Sequence, residues 1–211
     1  GESERTLARA LHSANISNDQ AIVATKWMPV FRRAHSIKKT IAQRIEALDG
    51  YTISLHQVHN PLSFSGIPAQ MKAMAELVKD KKIRYVGVSN FSASQMRKAH
   101  AELAKHGIQL TSNQVHYNMV NRKIEFNGVL EAARELNIAI IAYSPLAQGI
   151  LTGKYHDAPE EIKSKQGFRK RIGSFKAKGL EKTRPLIDKL REIADNHQAT
   201  AAQVALNWLT N

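Results

Sequence analysis

The stretch TISLHQVHNPLSFSGIPAQMKAMAELVKDKKIRYVGVSN, residues 52–90, reads as strand, helix, strand. Short runs of β-branched and apolar residues at 52–58 and 85–88 flank a segment in which Met71, Met74, Ala75 and Val78 share one helical face. Two strands joined by a crossover helix form a βαβ unit, whose strands are parallel. The same alternation continues in both directions, with strand-like runs at 21–25, 111–115 and 138–142. Helical faces lie between them at Ile37, Ile41, Ile45 and Leu48, at Met96, Ala99 and Leu103, and at Val129, Leu130, Ala133 and Leu136. Ser36 is the expected cap of the first of these helices, Ser92 or Ser94 caps the one at Met96, and Gly107 stops that helix.

Five parallel strands suit a doubly wound sheet or part of a closed barrel. No G-x-G-x-x-G opens a helix after any strand, so the phosphate grip of the doubly wound fold is missing. Long polar or aromatic residues instead end successive strands: Lys26, His59, Ser89-Asn90, Gln114 and Tyr143-Ser144. In a barrel those carboxyl ends meet at one mouth, where catalytic groups sit. The expected fold is therefore α/β, of the (β/α)8 TIM-barrel type, with about five of the eight strands in this chain. The chain opens on Gly1 and stops at Asn211 inside a helical pattern, so sequence is expected beyond both ends. One partial barrel domain is expected over 1–211, with a long basic loop at 146–179 and two helices after it, the second capped by Thr200.

Composition narrows the function. Of 211 residues, 43% are hydrophobic and 23% charged, which suits a globular chain rather than a disordered or fibrous one. Cysteine is absent, which excludes disulfides and thiolate metal sites and fits a reducing compartment such as the cytoplasm. The most apolar run, 138–142, is too short to span a bilayer, so no membrane partner is expected. Thirty-one Lys and Arg against 18 Asp and Glu give a net charge of +13, concentrated between Lys163 and Arg184. That stretch could track nucleic-acid phosphates, but only Phe168 and Phe175 are interleaved with the charge, so no nucleic-acid partner is expected. A solvated loop is the favoured reading, ahead of a charged lid.

Singly, the strand-end residues have ordinary readings. Lys26 can reach solvent, His59 can be a hydrogen-bonded structural histidine, Asn90 and Gln114 can build turns, and Tyr143 can pack a rim. His56 and His59 are too oddly spaced to share a metal, and no metal site is expected. Convergence is the stronger signal, because buried strands have no need of such residues at every end.

The segments IVATKW, LHQVHNP, YVGVSNFS, SNQVHYN and AYSPLAQGILTGKY, in this order and spacing, resemble the aldo-keto reductase superfamily along nearly the whole chain. The resemblance implies a (β/α)8 barrel that binds NADP(H) and moves a hydride between nicotinamide and a small carbonyl compound or alcohol. Residue by residue, it implies that Lys26 and His59 are catalytic. It implies that Ser89, Asn90 and Gln114 bind the nicotinamide carboxamide and that Tyr143 stacks on the ring. Ser144, Pro145, Leu146, Gln148 and Gly149 would lie along the pyrophosphate, with Lys154 a further candidate. Trp27 would wall the substrate pocket, and Asn60 stands where many members carry Trp. The family's acid is a tyrosine in D-x-x-x-x-Y-G, a context that none of the five tyrosines has. This chain alone is therefore expected to be inactive or very weak. The potassium-channel β subunits, relatives that mainly bind partners, give the alternative of a non-catalytic NADP-binding regulator.

Overall fold

The computed structural model describes residues 1–164 and 173–210. Its frame is a five-stranded sheet in the order β1-β2-β3-β4-β5, the strands being Ala24–Trp27, Ile53–Val58, Ile83–Ser89, Leu110–His116 and Ala139–Tyr143. β1 to β4 pair in parallel. Helices alternate with the strands: α1 (Glu2–Ser13), then α2 (His35–Ala47), α3 (Ile67–Lys79), α4 (Ala93–Ala104) and α5 (Val129–Glu135). This is the sequential parallel order of a (β/α) barrel wall.

Most residues of the expected apolar faces are buried, Ile45 of α2 being exposed and Val78, Leu130 and Leu136 only partly buried. Ile37 and Ile41 of α2, Met71, Met74 and Ala75 of α3, and Met96, Ala99 and Leu103 of α4 are removed from solvent. Ser92 caps α4 with a reciprocal bond, its hydroxyl accepting from Gln95 N and its own N–H reaching Gln95 Oε1. Gly107 stands at φ +71 just beyond the end of α4. Thr200 makes the same kind of capping pair with Gln203 before α9 (Ala201–Thr210). Ser36 does not cap α2: it lies inside the helix, where its hydroxyl accepts from Trp27 Nε1 at 3.0 Å.

The chain divides into two compact units, Gly1–Val115 with Ile124–Ile141 and His116–Lys123 with Ala142–Asn211. The region 146–179 is also no simple loop. Its described part contains a 3-10 segment at Ala147–Thr152, then α6 (Lys154–Asp157), α7 (Glu160–Ser164), another 3-10 turn at Gly173–Phe175 and the start of α8 (Ala177–Asn196). Ile150, Leu151, Tyr155, Ile162 and Phe175 from these pieces pack with Leu180, Ile187 and Leu190 of α8 and Ala205 of α9 in one apolar core. Lys165, Phe168, Arg169, Lys170 and Arg171 lie outside the described residues. Among the described residues no helix is long and apolar enough to cross a membrane.

Candidate functional site

In the first unit, strand alternation sorts the residues at the end of β1. Trp27 is fully buried and bonded to Ser36 of α2, so its neighbour Lys26 faces the other side of the sheet. The structure thus turns Trp27 away from the side it was expected to wall. Lys26 pairs in register with Gln57 and lines a cleft of about 450 Å³ with Gln57, Gln114, Ser3, Glu4 and Leu7. Burial lowers the pKa of its ammonium.

His59 follows β2 directly, and its backbone N–H donates to Trp27 O at 3.0 Å, which ties it to the end of β1. Burial first, then the charge of Lys26, pushes its pKa below the ordinary histidine value. A neutral imidazole is favoured in consequence. It keeps one N–H donor and one acceptor nitrogen.

Ser89, Asn90 and Gln114 are brought together. The Ser89 hydroxyl donates to Gln114 O at 2.8 Å, Asn90 N donates to the same oxygen at 2.9 Å, and Asn90 Nδ2 reaches Ser89 Oγ at 3.2 Å. Asn90 stands at φ +58, a conformation that Asn tolerates better than most residues. Asn113, wholly buried on β4, holds this turn by donating to Phe91 O at 3.0 Å. Amide and hydroxyl groups at adjoining strand ends are chemically suited to a carboxamide, which needs both donors and acceptors.

In the second unit, the ring of Tyr143 lies parallel to that of His116, with centroids 5.1 Å apart and planes 9° from parallel. Burial, then the charge of Lys123, lowers the pKa of His116 and favours a neutral plate. The fully buried Asn118 donates to Ser144 O at 2.9 Å and so fixes the turn that follows Tyr143. Ser144, Ala147, Gln148 and Gly149 all have positive φ, at 52°, 48°, 57° and 104°. Each non-glycine residue there costs about 1–2 kcal/mol. Gly149 is required twice over, since a Cβ would meet the Tyr155 ring at 3.1 Å. Backbone that alternates between right- and left-handed residues turns N–H groups to one side, as in anion-binding nests. Leu146 (φ −96°, ψ 18°) and Ala147 make one such step, but Gln148 and Gly149 stay left-handed, and Ala147 N and Gly149 N donate to Ser144 O and Leu146 O, both at 2.9 Å. Lys154 sits differently: its ammonium pairs with Glu161 at 3.0 Å and lies over the Tyr155 ring.

Arg44 was not singled out from sequence, and His56 was weighed there only as a metal ligand. Arg44 of α2 donates to Lys26 O at 2.8 Å, and Glu4 lies 3.6 Å from its guanidinium. The one hint in the sequence was the place of Arg44 three residues after the buried Ile41, on the same helical face. His56 is wholly buried, with Nδ1 2.7 Å from Thr25 Oγ1 and Nε2 without a hydrogen-bond partner. Burial, then Arg44, drives its pKa to about 3. Among the described residues no group of His, Asp or Glu could hold a metal.

A model of the Aldo/keto reductase family matches residues 1–211. An aldo-keto reductase of Strobilurus tenacellus is 33% identical over 99% of this chain and 62% of its own length. An aldo-keto reductase of Schizosaccharomyces pombe whose name includes NADP(+) is 32% identical over 82% of this chain and 49% of its own. The solved structure of a glycerol dehydrogenase from Gluconobacter oxydans superposes with a TM-score of 0.80 at 27% identity, over 98% of this chain and 64% of the other. This chain thus spans about three fifths of the Strobilurus and Gluconobacter proteins.

Proposed function

The chain belongs to the aldo/keto reductase family, and from that premise we propose that it serves the NADP(H)-dependent interconversion of carbonyl compounds and alcohols. The observation that carries this reading is the placement of Lys26 and His59 at the ends of adjacent parallel strands, with Lys26 in register with Gln57 and His59 N bonded to Trp27 O. Bound NADP(H) would supply or accept the hydride. Ser89, Asn90 and Gln114 would hold its carboxamide, Tyr143 would stack on its nicotinamide ring, and Ser144, Pro145, Leu146, Gln148 and Gly149 would line its pyrophosphate. Lys154 could join them only by leaving Glu161.

The chain's own residues do the polar work. The neutral imidazole of His59 donates a hydrogen bond to the carbonyl oxygen, and that bond strengthens as negative charge builds there. The ammonium of Lys26 favours the anionic form of a nearby phenol and so makes a tyrosine acid effective near neutral pH. No tyrosine is among the residues lining the Lys26 cleft, so turnover by this chain alone is expected to be very slow.

Calorimetry with NADPH, followed by NADPH consumption with an aldehyde, tests the reading. NADPH should bind, and Tyr143→Ala should weaken binding by about tenfold, the loss of about 1.4 kcal/mol of stacking. Lys26→Met and His59→Ala should leave binding in place and remove any residual turnover. A wild-type chain that ignores NADPH would refute the proposal, and brisk turnover would refute its account of the acid.

A further inference from the structure

The reaction as described leaves one ring of the second unit without a role. His116, the last residue of β4, sets its imidazole against the ring of Tyr143 in the parallel stack described above, with centroids 5.1 Å apart. At that separation the two rings are offset, an arrangement that their quadrupoles favour. His116 is itself exposed, so the contact fills no core. Holding an exposed side chain in one place costs conformational entropy and returns little burial.

The imidazole is nevertheless held at both edges. The wholly buried Asn118 has Nδ2 3.2 Å from His116 Nε2, and the same amide donates to Ser144 O at 2.9 Å. One amide thus serves both halves of the stack: the edge of His116 and the turn that leaves Tyr143. That amide is fixed, because its Oδ1 accepts from Val120 N at 3.1 Å and Asn121 N at 2.9 Å. Nε2 is therefore the acceptor nitrogen, and the neutral ring carries its proton on Nδ1. Asn121 stands at that second edge, its amide 2.7 Å from Nδ1, and its Oδ1 is otherwise buried without a partner. Half a turn of the Asn121 amide brings that oxygen to the Nδ1 proton and satisfies both groups. A ring fixed in this way covers one face of Tyr143, so a ligand ring can stack on Tyr143 only from the opposite face.

We propose that His116 is a positioning residue for the cofactor: it backs the Tyr143 ring and fixes the plane against which the nicotinamide lies. This deepens, and rests on, the reading of Tyr143 as the ring that stacks on nicotinamide. A phenol free to rock would lose that freedom at every binding event, which weakens affinity. Backed by His116, the phenol is ordered before the ligand arrives, and the plane of the nicotinamide is set with it. The role is confined to the nicotinamide end, so a ligand that lacks this ring should not sense His116.

Calorimetry on the 211-residue chain tests this with two probes, NADPH and 2′-phospho-ADP-ribose, which lacks the nicotinamide. His116→Gln removes the flat ring but keeps a side chain that can bond the two amides, whereas His116→Phe keeps the ring without those bonds. His116→Gln should weaken NADPH at least fivefold and leave 2′-phospho-ADP-ribose within twofold of wild type. His116→Phe should bring NADPH back to within twofold of wild type. Without ligand, the Tyr143 ring resonances should move in His116→Gln, where the ring current of the imidazole is lost. Because His116 is exposed, both variants should keep the wild-type circular dichroism spectrum. Equal weakening of both probes would make His116 merely structural and overturn the proposal. Unchanged or tighter NADPH binding in His116→Gln, or a His116→Phe variant as weak as His116→Gln, also overturns it while leaving the cofactor reading in place. A wild-type chain that does not bind NADPH overturns the cofactor reading itself, and the role of His116 with it.

Discussion

The two compact units hold their candidate chemistry in different ways. In the first, functional groups are side chains at strand ends, aimed by the two-residue period of the strand: Lys26 to one side, Trp27 to the other. In the second, the candidate phosphate-facing segment is backbone, bent by Ser144, Ala147, Gln148 and Gly149 into left-handed conformations and clamped by the buried Asn118. A side-chain site can be altered by one substitution without disturbing its strand. A backbone site depends on the packing beneath it.

The sharpest way to break that contrast is to damage the core of the second unit. Leu151 is wholly buried there, and Leu151→Ala should cost about 3 kcal/mol. Hydrogen exchange should show protection falling in 142–210 while β2 and β3 keep theirs; an even loss across the chain would refute the division. Two glycines sharpen the comparison next. Gly149→Ala should cost about 2 kcal/mol through its positive φ and the Tyr155 ring, and trimming no neighbour can recover the backbone share. Gly87→Ala should cost a similar amount, about 1–3 kcal/mol, but by crowding alone, since its Cβ would meet Ser112 Oγ and Gln57 Cγ. Adding Ser112→Gly should restore part of the Gly87→Ala loss, which denaturant midpoints would show.

His56 gives a smaller, pH-dependent effect in the first unit. Its folded pKa is about 3 against an ordinary 6.5, so the unfolded chain binds the proton first as pH falls. The stabilisation is fully present above pH 6.5 and is lost toward pH 3, at up to about 1.4 kcal/mol per pH unit. His56→Leu should remove one proton's worth of that slope from urea midpoints measured across the window. An unchanged slope would mean that the imidazole is charged or solvated in the folded protein.

Sequence legibility follows the same division. The parallel strands and their order were legible because β-branched runs and helical spacing repeat, and because Lys26, His59, Asn90 and Gln114 stand where no buried strand needs them. Trp27 was misread because chain adjacency to Lys26 was taken for spatial adjacency, whereas a strand sends neighbours to opposite faces. Arg44 went unread because its carbonyl partner on β1 lies eighteen positions away and carries no sequence signal. The region after β5 was read as a loop because helices of four and five residues, Lys154–Asp157 and Glu160–Ser164, are too short to display a period. Its apolar residues are unevenly spaced yet buried, since they meet α8 and α9 rather than one another along a single face.

The most direct measurement of the account is the NMR titration of the His59 ring in wild type and in Lys26→Met. If strand pairing brings these two groups together, His59 titrates below the ordinary histidine value in the wild type and moves upward when the ammonium is removed, part of the depression surviving because burial remains. A His59 pKa that is ordinary in the wild type, or that stays where it is in Lys26→Met, would contradict the shared site on which the functional reading stands.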